Sequence, residues 1–194
     1  RGLQPGEPVK KVNLVEMPTL SPEIAAAVTF QQYAPQPPIE GVKVVKLRKF
    51  RGLEGAFTEV MRLDGGQVEG QEQPFEARQV SVSHAVAGRI NAFHIHPKRP
   101  QEELWCVLQG ELKVWIVDVR SGSPTEGARA AHLLSGEEPA LLRIPAGVAH
   151  GYQAGASGAL LLYAVSEAFC WEDPNEGRLP WDAFGTDIWE ADRG

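Results

Sequence analysis

The sequence has little of what marks several large functional classes. Only two of its 194 residues are cysteines, Cys106 and Cys170, and no metal-type spacing relates them. They read as free thiols in a reducing compartment, so the cytoplasm is the expected location. No apolar stretch approaches the roughly 18 residues of a membrane-spanning helix. The longest candidates, "ALLLYAV" and "LKVWIVDV", have the length of strands. Basic residues never run longer than "KLRKFR" in a chain of net charge −6, which argues against nucleic acid as a partner. The opening "RGLQPGEPVKK" lacks the apolar core of a secretory signal, and since it starts on arginine an upstream piece or trimming is expected. Internal repeats and low-complexity tracts are missing too.

What is there describes an ordinary globular chain, 43% hydrophobic and 23% charged, long enough to bury one substantial core. Residues 1–41 are proline-rich and hold one short helix candidate, "SPEIAAAV", with Ser21 as N-cap and Pro22 in the first helical position. This segment is expected to be an arm wrapping the core or a partner subunit, and residues 42–194 to form the folded domain. From residue 42 the pattern turns to about ten short strands. Several alternate with period two, and glycines punctuate them. With no long amphipathic helix among them, the expected class is all-β, a double-sheet jelly roll. The closing "WEDPNEGRLPWDAFGTDIWEADRG" carries three of the five tryptophans and is expected to pack across one end of the barrel.

Three of the five histidines fall in a suggestive pattern. His94 and His96 are two apart in a strand-like run, so both side chains leave the same face. Glu103 opens the next strand after a proline-bounded loop, and His150 follows the turn "IPAGVA". Three imidazoles and one carboxylate facing a common pocket suit a divalent Mn, Fe, Co, Ni or Zn ion. The same residues could instead serve as acid and base, or merely line a polar pocket. His84 and His132 read as non-ligands, Asp118 and Arg120 of "VDVR" as a structural pair or dimer contact. Trp105 and Trp115 are expected to pack within the sheets.

The spacing resembles the two cupin motifs. Gly88 followed by His94-x-His96, then Glu103 and Gly110, resembles the first, and Pro145-x-Gly147-x-x-His150 the core of the second. Over roughly residues 42–190 the chain is similar to one cupin family in particular, the dTDP-4-dehydrorhamnose 3,5-epimerases. "VDVRSGSPTEG", "RIPAGVAHGY", "LLLYAVSEAF" and "EGRLPWDAFGTDIWE" resemble that family's signatures. The resemblance implies a double-stranded β-helix, commonly dimeric, acting on a 4-keto-6-deoxyhexose carried by a nucleotide. The reaction takes a proton from a carbon next to the ketone and returns one on the other face. By this resemblance His94 is the base, Tyr163 the acid, and Gln79 a substrate-cleft residue. An imidazole with an ordinary pKa near 6.5 and a phenol with one near 10 suit those roles.

The departures from the family pattern are informative. Arg-Gly-Leu-His-x-Gln reads here Asn91-Ala92-Phe93-His94-Ile95-His96, so a phosphate-binding arginine has become Asn91 and a glutamine has become His96. The lysine expected to stabilise the enolate is Glu103, and a second phosphate arginine falls on Glu54. The aspartate expected to pair with the base lies, in the family, beyond the closing tryptophan, whereas this sequence ends five residues after Trp189. Lys98 and Arg99, with Asn91, are the remaining candidates for binding an anionic substrate. A carboxylate in place of that lysine cannot stabilise an enolate by charge. Yet glutamine to histidine and lysine to glutamate together restore the cupin ligand set His94, His96, Glu103 and His150. One divalent ion would account for both changes.

The leading expectation is therefore an epimerase-like cupin for a sugar nucleotide or another carbonyl-bearing sugar, without a cofactor if conventional and with a single divalent metal if the ligand set is real. A metal-dependent cupin isomerase or oxygenase, or a catalytically silent sugar-binding cupin, are the alternatives. The expected partners are the small-molecule substrate and a second copy of the chain, with no nucleic acid and no membrane.

Overall fold

The computed structural model describes residues 18–30 and 35–191. The rest of the expected arm, 1–17 and 31–34, lies outside the described residues. The chain divides into two units, 1–35 and 36–194. In the first, α1 (Pro22–Ala27) is capped as its sequence dictates. Ser21 Oγ accepts from the Ile24 N–H at 3.4 Å, and proline sits in the first turn. Residues 36–41, grouped with the arm on sequence grounds, belong to the second unit. There Ile39 is buried in the core and the Glu40 N–H donates to Thr125 Oγ1 at 3.0 Å.

The second unit is built from β1 (Lys43–Lys46), β2 (Lys49–Gly52), β3 (Gly55–Thr58), β4 (Leu63–Asp64), β5 (Gln67–Val68), β6 (Gln79–Ala85), β7 (Ile90–Ile95), β8 (Glu103–Asp118), β9 (Arg129–Ser135), β10 (Ala140–Ile144), β11 (Val148–Val165) and β12 (Gly177–Arg178). The pairs β2–β3 and β4–β5 are separate hairpins, and the other eight strands form one antiparallel sheet.

That sheet folds over itself because two strands are longer than the sequence pattern implies. "EELWCVLQ" and "ELKVWIVDVR", expected as separate strands, run together in β8. "AHGYQA" and "ALLLYAV" likewise join in β11. Both strands bend at a glycine of positive φ, Gly110 and Gly158, each at +72°, and the β8–β11 register slips there. A side chain at Gly110 would also run into the Gly158 carbonyl, so the bend demands glycine twice over.

On one side of the bend, the first half of β8 pairs with β10 and the last part of β11, flanked by β1 and β6. On the other, the second half of β8 pairs with β9 and the first part of β11, followed by β7 and β12. The result is two layers sharing two strands, the double-stranded β-helix of a cupin jelly roll.

Alternation along the strands assigns the faces. Trp105, Val107, Leu112, Val114, Ile116, Leu142 and Leu161 fill the space between the layers. Leu104, Cys106 and Leu141 face outward beneath Val68 and Phe75, delivered by the hairpin segment. On the other layer Phe93, Val117 and Ala149 are covered by Ile188 and Trp189 of a 3-10 turn, Asp187–Trp189. The closing segment thus packs on the barrel through Trp189, while Trp171, 84% exposed, does not. Among the described residues, no helix is long and apolar enough to cross a membrane.

Candidate active site

The same period-two rule that sends Phe93 outward sends His94 inward from β7, and His96 follows it just past the strand's end. On β8 the inward positions are Glu103 and Trp105. On β11 they are His150 and Tyr152 in one layer, Leu161 and Tyr163 in the other. Register brings them together: His150 lies opposite His94, Tyr163 opposite Trp105, and Val165 opposite Glu103. They enclose a cavity of about 180 Å³, whose walls also include Gln79, Asn91 and Glu176. Of the sequence-based candidates, His94, His96, Glu103, His150, Tyr163, Gln79 and Asn91 all line it.

Lys98 and Arg99 do not. The Lys98 ammonium pairs with Asp173, and the Arg99 guanidinium with Asp173 and with Glu167 of the wall. No lysine or arginine is among the lining residues, while Glu103, Glu167 and Glu176 are. Trp105, expected to pack within a sheet, does so and also presents its indole N–H to the cavity. His84 and His132 are not part of the wall, as expected.

The four ligand candidates separate into two groups. His96, Glu103 and His150 offer ligand atoms that all lie within 4.8 Å of one another. Glu103 Oε1 is 2.7 Å from His96 Nε2 and 3.7 Å from His150 Nε2, and it accepts from Gln101 Nε2 at 3.1 Å. Glu103 Oε2 accepts from the Trp105 indole N–H at 2.6 Å. His94 stands beside this triad, its ring stacked on that of His150 with centroids 5.8 Å apart. Its own carboxylate partner is different: Nδ1 lies 3.2 Å from Glu176 Oε1.

The hydrogen positions on these rings follow from their partners. His96 Nδ1 faces the Asn175 backbone carbonyl at 3.2 Å, and His150 Nδ1 faces that of Val148 at 3.1 Å. A carbonyl can only accept, so both Nδ1 atoms carry the hydrogen, and in the neutral rings both Nε2 atoms then present lone pairs, that of His96 toward Glu103. The same logic at Glu176 leaves a lone pair on His94 Nε2, which is buried without a hydrogen-bond partner.

Burial, followed by the neighbouring His150 and Arg178, lowers the His94 pKa to about 3, against the pull of Glu103. Burial likewise lowers that of His150. For Glu103 burial alone would raise the pKa. His150, His96 and the Trp105 hydrogen bond outweigh it and bring the carboxyl down to about 2.

Two residues of the site were invisible in the sequence. Glu176, just ahead of β12, supplies the carboxylate that sequence reasoning placed beyond Trp189. Asn175 is buried, and its side chain ties down the 97–101 loop. Its Oδ1 accepts from the Lys98 and Arg99 N–H groups, both at 3.0 Å, and its Nδ2 donates to the Arg99 carbonyl at 3.0 Å. Glu176 opens the signature-like "EGRLPWDAFGTDIWE", but its meaning comes from β12 lying along β7, with Arg178 opposite His94. Asp118 and Arg120, by contrast, form the structural pair expected. The buried Asp118 carboxylate accepts from Arg120 Nε and Nη2 at 2.9 and 2.8 Å and from the Ser123 and Thr125 hydroxyls, both at 2.6 Å.

Comparison with known proteins agrees with this geometry. The family described as dTDP-4-dehydrorhamnose 3,5-epimerase matches residues 36–190. The spore coat polysaccharide biosynthesis protein SpsL of Bacillus subtilis is 37% identical over 74% of this chain and 91% of its own length. The probable low-salt glycan biosynthesis epimerase Agl13 of Haloferax volcanii is 29% identical over 75% of this chain and 90% of its own. Among solved structures, the dTDP-4-dehydrorhamnose 3,5-epimerase of Bacillus anthracis, with TDP and pyrophosphate bound, superposes with a TM-score of 0.65. It shares 28% identity, covering 73% of this chain and 80% of that one. With a family match spanning residues 36–190, the chain belongs to the dTDP-4-dehydrorhamnose 3,5-epimerase family.

Proposed function

We propose that the protein is an isomerase that epimerises a 4-keto sugar carried on a nucleotide diphosphate, moving protons at the carbons next to the ketone. The observation that carries this reading is the His94–Glu176 pair. A neutral imidazole with Nδ1–H anchored on a carboxylate and a bare, buried Nε2 at the cavity wall is arranged as a general base. Glu176 fixes the tautomer and stabilises the imidazolium once the proton has been taken. Tyr163 comes from the opposite layer, so a sugar ring between the two can lose a proton on one face and regain one on the other.

Gln79 is held by Ser81 and by the Phe169 N–H, and with Asn91 it gives the walls their polar contacts to the sugar. Arg178, whose Nη1 donates to Asn91 Oδ1 at 2.9 Å, stands beside the position where the family has its phosphate-binding arginine. Its guanidinium also pairs with Glu176 Oε1 at 2.7 Å, which keeps it beside a cavity-lining carboxylate and makes it a better candidate for a diphosphate than Lys98 or Arg99, which pair with Asp173. Homodimerisation through the arm, and residence in a reducing cytoplasm, belong to the same proposal. The free thiols of Cys106 and Cys170 support the second. The oxygenase and silent-binder alternatives find no support in the family match.

The test is incubation with a dTDP-4-keto-6-deoxy sugar in deuterated water. Deuterium is expected at the carbons flanking the ketone, and His94→Asn should slow its entry by about 10²- to 10⁴-fold. No exchange above the uncatalysed rate with the folded wild-type protein would overturn the reading.

A further inference from the structure

A buried carboxylate faces two imidazole nitrogens, and no lysine or arginine is among the residues lining the cavity. His96 Nε2 and Glu103 Oε1 stand 2.7 Å apart, and His150 Nε2 is 3.7 Å from the same oxygen. With both Nδ1 hydrogens committed to backbone carbonyls, all three of these atoms are acceptors when the rings are neutral, and one neutral donor, the Gln101 amide, stands 3.2 Å from His96 Nε2 and 3.1 Å from Glu103 Oε1. Three acceptors share one neutral amide there, and a positive charge among them would satisfy all three at once. A single proton between His96 and Glu103 would satisfy one contact only. It leaves His150 Nε2 turned toward an oxygen that already has its proton.

We infer that His96, Glu103 and His150 form a binding site for one divalent transition-metal ion, and that this ion provides the positive charge at the substrate ketone. Two imidazoles and one carboxylate are a donor set for Zn, Fe, Ni, Co or Mn. Around an ion with bonds of about 2.1 Å, ligand atoms lie roughly 3.0–3.4 Å apart. The separations of 2.7 and 3.7 Å bracket that range, so closing on an ion needs only small side-chain adjustments.

The supporting shell is also built. Each imidazole is oriented through its Nδ1–H, and the second carboxylate oxygen is held by the Trp105 indole. The inference rests on the proposed proton-transfer function for the ion's role, since a bound ion would polarise the ketone as a Lewis acid. His94 stays outside the triad. Its Nδ1–H is committed to Glu176, which frees its Nε2 lone pair for the substrate and removes the competition between base and ligand that four ligands would create.

The experiment uses the full chain, stripped with chelator, dialysed, and titrated with Co²⁺ and separately with Mn²⁺. Binding is followed by the visible absorption of Co²⁺, the loss of the free Mn²⁺ magnetic-resonance signal, and elemental analysis. One ion per chain is expected. Glu103→Gln and His150→Gln should weaken binding about 100-fold or more, while His94→Asn should leave the stoichiometry at one. Circular dichroism checks each variant, and if Glu103→Gln does not fold, His96→Gln takes its place.

Substoichiometric binding by the wild type, or binding indifferent to the triad substitutions, would overturn the site. Loss of the ion in His94→Asn would overturn the division of labour. Deuterium exchange by the stripped protein would sink the ion's role yet leave the proton-transfer reading standing. A tightly held ion without any exchange would leave the site standing and overturn the proton-transfer reading together with the ion's role in it.

Discussion

Glu176 does its work through another residue. It touches His94 Nδ1 at 3.2 Å and leaves Nε2 to the cavity, so Glu176→Gln should keep the fold and pocket while losing the stabilisation of a protonated His94. The expected result is a fall in kcat of about 10- to 100-fold with KM little changed, read from initial rates of deuterium exchange. An equal rise in KM would mean that Glu176 binds substrate instead. Asp118 makes a different kind of prediction. Its carboxylate is held well below the usual range, chiefly by the Arg120 hydrogen bonds and further by Ser123 and Thr125, against burial. A depressed pKa stabilises the folded state above the unfolded carboxyl value near 3.9, and that contribution disappears as the pH falls through the folded value. Asp118→Asn should therefore cost about 3 kcal/mol near pH 7 and progressively less below pH 4 in denaturant titrations. A pH-independent loss would show that packing, not charge, is responsible.

At the level of elements, the two bent strands decide whether there is a cavity at all. β8 carries Glu103 and Trp105 in one layer, and β11 carries His150 in one and Tyr163 in the other. Folding each strand at a glycine sets those side chains face to face. Gly110→Ala places a methyl on a left-handed backbone and into the Gly158 carbonyl, so it should destabilise the protein by about 3 kcal/mol or more, measured by thermal or urea unfolding. A change below about 1 kcal/mol would mean the bend can relax. The short β12 matters for a similar reason. Its pairing with β7 delivers Asn175 and Glu176 to histidines about eighty residues earlier in the chain. That distance is why neither was legible. His94, His96, Glu103 and His150 sit in local motifs with characteristic spacing, whereas Asn175 precedes the signature-like "EGRLPWDAFGTDIWE" and Glu176 opens it, with no spacing that ties either to a histidine. Lys98 and Arg99 erred in the opposite direction: their place in the loop was right, but their charges are paired with Asp173 and Glu167.

For the whole molecule, a ligand that binds only the folded state must raise its stability. An ion at one hundred times its dissociation constant adds about 2.7 kcal/mol, or roughly 5–10 °C in Tm for a chain of this size. Scanning calorimetry of stripped protein with and without Mn²⁺ should show that shift in the wild type and not in Glu103→Gln. An equal shift in both would place the ion elsewhere. The sequence by itself determined the all-β class, the jelly roll, the helix cap at Ser21 and seven of the eighteen residues that line the cavity. Alternation and turn chemistry are local, and the family signatures lie in contiguous stretches. Only the tertiary structure decided that four ligand candidates split into a triad and a separate histidine with its own carboxylate. Hydrogen-bond partners such as the Asn175 and Val148 carbonyls and the Glu176 side chain fix which nitrogen of each ring is bare, and those partners are set by register between strands rather than by spacing along the chain.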